Sequence, residues 1–207
     1  MAAHLFFVTG TDTGVGKTVF TALMTAHLRE HGIRAVALKP VSSGSRRDGR
    51  ILRKAAGQVL PLEEVNPWHF RAPLAPREAA RRERQRVRLC QALAHIRRVA
   101  ERFEVVLVEG AGGLLSPLGE DFDSRDLIVA LRARTFVVCP NRLGAVNQTL
   151  LVFEALPRAA AARASVVLVS PRRPDLASRT NPKLLAERLG PGRIWIMPWL
   201  APKKLTA

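Results

Sequence analysis

Gly10-Thr11-Asp12-Thr13-Gly14-Val15-Gly16-Lys17-Thr18 is the stretch that decides the fold. A short apolar run, Leu5–Thr9, precedes it. An apolar-periodic stretch from Thr18 to His31 follows, and Gly32 is placed to close it as a helix C′ residue. Strand, glycine-rich loop and helix in that order let backbone N–H groups point inward at phosphate oxygens, and the helix N-terminus adds a favourable field. Lys17 can bridge the β- and γ-phosphates, and the Thr18 hydroxyl can ligate Mg²⁺. The usual spacing, G-x-x-x-x-G-K-S/T, would need glycine at position 11, which is Thr11; starting from Gly10, this loop is one residue longer. A glycine-rich turn that holds no nucleotide is the competing interpretation, and the G-K-T context weighs against it.

Outward from this loop, continuous apolar runs of strand length recur. They are Ala35–Lys39, Val105–Val108, Thr135–Val138, Val166–Val169 and Ile194–Met197. Unbroken rather than alternating apolarity fits strands covered on both faces by helices. The rhythm of strand and helix predicts an α/β fold: a single-domain, P-loop NTPase-like, mostly parallel sheet flanked by helices, spanning residues 1–207. A short helix is expected over Asp48 to Ala56 within an otherwise irregular, proline-punctuated stretch from 40 to 76. One long helix is expected from Pro76 to Phe103, with Val87, Cys90, Leu93, Ile96, Val99 and Phe103 as its apolar stripe.

Two strand ends carry chemistry. Glu109-Gly110-Ala111-Gly112-Gly113 follows the run at 105–108, where a carboxylate sits beside the phosphate loop of nucleotide-binding sheets and can hold Mg²⁺ or its water shell. Lys39-Pro40-Val41-Ser42-Ser43-Gly44 ends the second strand, and a lysine there can neutralise charge in phosphoryl or carboxyl transfer. Taken alone, the first segment is as readily a tight turn with a solvated Glu, and Lys39 as readily an ordinary surface lysine. His27 and His31 have the i, i+4 spacing of metal ligands but no third partner, and are expected to be exposed helix residues.

Composition bounds the partners. Lys and Arg total 33 against 17 Asp and Glu, a net charge of +16, and 47% of residues are hydrophobic, which excludes global disorder. Between Arg71 and Arg102, ten arginines face three glutamates and contribute +7 of that charge. No aromatic residues are interleaved with them as a base-stacking platform would need, so a solvated helix face is favoured over a nucleic-acid patch. No apolar run approaches the ~18 residues of a membrane span, and Leu5–Val8 is too short for a signal-peptide core. Cys90 and Cys139 show neither disulfide nor zinc spacing. A cytoplasmic protein with no membrane partner is expected.

FVTGTDTGVGKT, LKPVSSG, VNPWHF, VLVEGAGGLLSPL, NRLGAVNQ and PWLA, in that order from Phe7 to Ala201, resemble the dethiobiotin synthase family. The resemblance implies a homodimeric enzyme of biotin synthesis. It would convert 7,8-diaminononanoate (7,8-diaminopelargonate), CO2 and a nucleoside triphosphate into dethiobiotin, ADP and phosphate, with Mg²⁺. Carried over onto matching positions, Lys39, Lys17 and Thr13 are the catalytic candidates. The nucleotide would be held by Gly14, Val15, Gly16, Lys17, Thr18, Val19, Asp48, Glu109, Gly110, Ala111 and Gly112, with Ser170, Pro198, Trp199 and Leu200 near the base. Thr18, Glu109 and Asp48 would be the metal ligands, the last through a shortened loop. Ser43 and Gly113 would contact substrate, as would Leu143, Gly144, Ala145 and Asn147 from the neighbouring subunit. The family pattern carries Glu where Gly14 stands, and Asn-Asp where Ser170-Pro171 stands. The second departure puts the base selectivity in doubt, so that ATP is the expected donor with other nucleoside triphosphates as candidates.

The chief alternative is a switch ATPase of the partition or septum-positioning type with non-specific nucleic-acid binding. Such proteins carry an extra lysine at the start of the phosphate loop, where this chain reads Thr11-Asp12. A nucleic-acid module resting on charge alone is a third reading, and no specific nucleic-acid partner is expected.

Overall fold

In the computed structural model, which describes residues 3–200, six parallel strands form one sheet in the order β2-β5-β1-β6-β7-β8. In chain order, β1 is His4–Gly10, α1 Lys17–Glu30, β2 Ala35–Leu38 and β3 Val41–Ser43. Then come α2 (Arg47–Ala55), α3 (Leu62–Val65), β4 (Trp68–Phe70), α4 (Pro76–Arg82), α5 (Leu89–Ala100) and β5 (Val105–Glu109). The rest are α6 (Ser124–Leu131), β6 (Arg134–Pro140), α7 (Ala145–Ala155), α8 (Arg158–Ala161), β7 (Ala164–Val169), α9 (Leu176–Leu189) and β8 (Ile194–Met197). The α/β fold and the predicted strand runs are thus observed.

Why the runs are unbroken is visible in the packing. All of β2 and β5 is buried. Alternate positions of β1 and β6 serve opposite faces. Phe7, Val137 and Cys139 pack with Ile96, Ile128 and Phe153 of α5, α6 and α7, while Val8, Phe136 and Val138 pack with Phe20 of α1. A fully buried Val, Leu, Ile or Phe contributes about 1.5–3 kcal/mol, so a core of this extent needs no cross-link. Both cysteines are accordingly free, Cys90 exposed and Cys139 buried. Among the described residues, no helix is long and apolar enough to cross a membrane.

Helix α1 ends as its sequence predicts. Gly32 adopts φ +79°, its N–H bonds to the Arg29 carbonyl, and the Ile33 N–H bonds to that of Leu28. This is a Schellman closure, which a Cβ at position 32 would strain. His27 and His31 lie exposed at that end, with His31 Nδ1 2.8 Å from the His27 carbonyl.

Two expectations are corrected. The stretch from 40 to 76 is not wholly irregular. Besides α2 it holds a second, two-stranded parallel sheet, in which Val41, Ser42 and Ser43 of β3 lie beside Trp68, His69 and Phe70 of β4. The single helix from Pro76 to Phe103 is two helices, α4 and α5. Arg84 takes φ +56°, and the Gln85 N–H turns back to the Ala80 carbonyl, ending α4 before the apolar stripe begins. Val87 is buried from the intervening turn, and Cys90 is exposed; the buried face of α5 is Ala92, His95, Ile96 and Val99. Part of the charge around it is held within the chain. Arg81 pairs with Glu78 and Glu120, Arg102 with Glu64, Arg77 with Glu78, and Arg97 and Arg98 donate to the Ala130 carbonyl and His95.

Candidate active site

The C-terminal ends of β1, β2 and β5 lie side by side, so the three segments singled out in the sequence open into one cleft. The phosphate loop leaves β1 with Thr11 N–H bonded to the Val138 carbonyl at 3.0 Å. Gly14 and Gly16 take φ +73° and +103°, and a Cβ on Gly16 would also lie 3.2 Å from Val169 Cγ2. Only glycine meets both demands at Gly16. No side chain caps the start of α1, so its first N–H groups remain available to an anion.

Lys17 is buried, and its Nζ donates to the Asp12 carbonyl at 2.7 Å. Burial first, and the nearby Lys39 ammonium second, lower its pKa to about 8. Asp12 also accepts the Thr13 N–H on its carboxylate at 2.7 Å, pinning the turn ahead of Gly14. Thr18 Oγ1 donates to Glu109 Oε1 at 2.7 Å across the β1–β5 boundary. Glu109 is 1% exposed, so it is not a solvated turn residue.

Lys39 is also buried. Its Nζ lies 2.6 Å from Glu109 Oε1 and 2.7 Å from Asp48 Oδ2. Burial works against that ammonium, but the charges and hydrogen bonds of Glu109 and Asp48 outweigh it and hold its pKa above the usual lysine value. Asp48, the expected start of this helix, stands in the first turn of α2, which begins one residue earlier at Arg47. Lys39 thus bridges Asp48 to Glu109, and both carboxylates line the cleft with Thr18.

The cleft encloses about 730 Å³ and is lined by Thr13, Gly14, Gly16, Lys17, Thr18, Val19, Lys39, Ser43, Asp48, Glu109, Ala111 and Gly112 among others. Val15 is buried beneath the loop. Gly110 lies hard against α6, where a Cβ would come 2.5 Å from Ser124 Oγ. Gly113 donates its N–H to Ser116 Oγ at 2.9 Å, and Ser43 Oγ donates to the Leu74 carbonyl at 2.5 Å.

Other sequence candidates are not brought here. Leu143, Gly144 and Asn147 are exposed at the start of α7, with Ala145 buried between them, and none lines the cleft. Ser170 donates its N–H to the Met197 carbonyl at 2.9 Å, placing it with Pro198, Trp199 and Leu200 beyond the ends of β7 and β8. The Arg172 guanidinium stacks 5.6 Å from the Trp199 ring centre. Ala201, the last residue of the PWLA segment, lies outside the described residues.

Asn66 is a buried anchor of the lysine loop that the sequence does not single out. It is fully buried; its Nδ2 donates to the Lys39 carbonyl at 2.7 Å, and its Oδ1 accepts Ser42 Oγ at 3.0 Å and Arg46 Nε at 3.3 Å. With Lys39 N–H bonded to the Val65 carbonyl and Trp68 N–H to that of Pro40, the VNPWHF segment fastens the lysine loop to α2. The signal lay in that motif, but an asparagine before a proline reads as a turn.

Among the described residues, no group of three or more His, Cys, Asp and Glu could hold a metal ion. The donor set in the cleft is instead a hydroxyl and two carboxylates, all oxygen, which suits a hard divalent cation. Glu109 Oε2 is buried without a hydrogen-bond partner, and such an orphaned acceptor fits a cation ligand.

Sequence comparison decides the family. The pattern of an AAA domain family matches residues 4–202. ATP-dependent dethiobiotin synthetase of Anaeromyxobacter sp. (strain K) is 42% identical over 93% of this chain and 89% of its own length. That of Bacillus licheniformis is 36% identical over 94% and 86%, and that of Bacillus subtilis (strain 168) 35% over 95% and 87%. The chain belongs to the ATP-dependent dethiobiotin synthetase family. Structurally it also resembles pNOB8 ParA bound to nonspecific DNA, with a TM-score of 0.59 over 96% of this chain and 86% of that one. At 14% identity this likeness speaks for the shared fold alone.

Proposed function

We propose that the chain carries out the family reaction, the ATP-dependent joining of CO2 to 7,8-diaminononanoate (7,8-diaminopelargonate). The products are dethiobiotin, ADP and phosphate, as a step of biotin biosynthesis. The observation that carries this reading is the convergence of two buried lysines, Lys17 and Lys39, with Thr18, Asp48 and Glu109 at one phosphate loop. Every step of the reaction builds or moves anionic oxygen. A substrate amine adds to CO2, giving a carbamate and releasing a proton. A carbamate oxygen attacks the γ-phosphorus and ADP leaves. The second amine then attacks the carbamate carbon, expels phosphate and closes the ureido ring.

The residues' work is positioning and electrostatic. The α1 N-terminus and Lys17 hold the triphosphate, Lys39 meets the negative charge that develops between carbamate and γ-phosphate, and Thr13 and Gly112 enclose it. Thr18, Glu109 and Asp48 would hold Mg²⁺, which when bound supplies neutralisation of the triphosphate. Ser43 and Gly113 contact the diamine, and Leu143, Gly144, Ala145 and Asn147 receive its carboxylate from a second subunit. The exposure of Leu143, Gly144 and Asn147 at the start of α7, away from their own cleft, supports that arrangement. Two free thiols and soluble substrates support a cytoplasmic setting.

The test is product formation. Purified protein given the diamine, CO2, Mg²⁺ and ATP should yield dethiobiotin and ADP in equal amounts, and omission of any one should stop both. ATP hydrolysis stimulated by duplex DNA, without dethiobiotin, would refute the reading.

A further inference from the structure

Lys39 makes more bonds to the cation-binding groups than a lysine reserved for the transferring phosphoryl group would need. Its Nζ touches Glu109 Oε1 and Asp48 Oδ2 at 2.6 and 2.7 Å. Thr18 Oγ1 donates to that same Glu109 oxygen at 2.7 Å. Thus the two carboxylates assigned to the metal are bonded to this ammonium, and the third ligand, Thr18, donates its proton to the Glu109 oxygen that Lys39 also touches. The geometry points to Lys39 as an internal counter-cation: in the free protein it fills the divalent cation's place, keeps the metal out, and gives way only when nucleotide arrives. This rests on the proposed metal role of Thr18, Glu109 and Asp48.

A buried charge has few alternatives to the partners it holds. Lys39 is 5% exposed, so an ammonium pushed off its carboxylates without a new anion would be desolvated and unpaired. Lys17 lines the same cleft, and its repulsion makes that displaced position worse. A divalent cation arriving alone must therefore evict Lys39 with nothing to receive it. A triphosphate changes this. Its γ-phosphate oxygens offer the ammonium a partner on the side of the cleft where the chemistry occurs. Displacement then delivers Lys39 to the oxygen that carries developing charge, and the metal takes the carboxylates it leaves. Lys17 is parked in the same manner, on the Asp12 carbonyl, which accepts a donor but carries no net charge to release.

Binding of Mn²⁺ alone, followed by electron paramagnetic resonance, tests this without catalysis. The free protein should bind Mn²⁺ at this site at least about tenfold more weakly than Lys39→Met or Lys39→Gln, because removing a like charge in contact with the ligands favours the metal. Lys17→Gln, which leaves the carboxylates paired, should change the affinity less than either. Where Lys39→Met fails to fold, Lys39→Gln retains a donor for Glu109. For that variant, Mn²⁺ without nucleotide should raise the melting temperature more than it does for the parent protein. With a non-hydrolysable ATP analogue present, parent and variants should bind Mn²⁺ to within about threefold of one another. Equal Mn²⁺ affinity of parent and Lys39 variants without nucleotide would overturn the inference while leaving the metal site standing. Absence of a bound Mn²⁺ even with the analogue would remove the metal site, and the inference with it.

Discussion

Lys17 and Lys39 are both buried cations, yet their surroundings push them in opposite directions. Lys17 faces burial and a like charge with only a carbonyl as partner, and its pKa falls to about 8. Lys39 has two carboxylates and stays firmly protonated. Their replacements should therefore differ. Lys17→Gln should lower kcat about 100-fold or more with the fold intact, since it removes a donor for the transition state and no buried partner. Lys39→Ala should cost as much in kcat and also destabilise the fold by about 3 kcal/mol, because Glu109 is left buried and unpaired. Steady-state kinetics and denaturant melts separate the two. The Lys17 contribution to triphosphate affinity should be complete below pH 8 and fall above it, because the free protein loses the Lys17 proton near that pH whereas a bound phosphate keeps the lysine protonated. Lys17→Gln should abolish that fall, and its persistence in the variant would reassign the titration.

The base end of the site leads to a different expectation at this scale. The Ser170 N–H is taken by Met197, Pro171 has none, and Ser170 offers one hydroxyl where the family pattern has an amide. A pocket without that donor–acceptor pair discriminates weakly. CTP and GTP should support turnover within about tenfold of ATP, or ~1.4 kcal/mol in kcat/KM. A preference for ATP above about a hundredfold would show that adenine is read by other groups.

Among the elements, the second sheet does the positioning. Strand β3 carries Ser42 and Ser43, β4 registers against it, and Asn66 ties Lys39, Ser42 and Arg46 together. Asn66→Ala strands two buried polar groups, the Lys39 carbonyl and the Ser42 hydroxyl, and should cost about 3 kcal/mol of stability. It should also lower kcat more than it raises the KM for nucleotide, because the Lys39 loop and Arg46, two residues before Asp48, lose their common anchor while the phosphate loop does not. A loss confined to stability would make Asn66 structural only.

These same elements show what a sequence can convey. The sheet was legible because strands buried on both faces must be apolar throughout, and the loop because Gly14 and Gly16 sit at positive φ before a lysine. Glu109 was legible from its place at the end of a buried strand and Asp48 from the family pattern, but their contact with Lys39 across about 70 and 9 residues was not, because pairing over that distance leaves no local trace. Strands β3 and β4 are three residues each among prolines, too short for any period to register. The break at Arg84 lay hidden because non-glycine residues seldom take a left-handed conformation, and arginine gives no warning of it.

At the scale of the whole molecule, the chain presents Leu143 and Leu151, 83% and 61% exposed, at the start and along the flank of α7. Under the proposed sharing of sites these side chains would lie at the interface between copies. Mixing inactive Lys17→Gln with inactive Asn147→Ala protein should restore about a quarter of parental activity if sites are shared across a two-fold dimer. A mixture as inactive as its parts would confine each site to one subunit.

The claim that unites these scales is that the cleft around Lys17, Lys39 and Glu109 drives a carbamate oxygen onto the γ-phosphate. Short incubations with ¹⁸O-labelled CO2, the diamine and unlabelled ATP test it most directly, with mass analysis of the phosphate released. One ¹⁸O atom per phosphate, matched by dethiobiotin, is the predicted result. Phosphate free of label while dethiobiotin accumulates would contradict it.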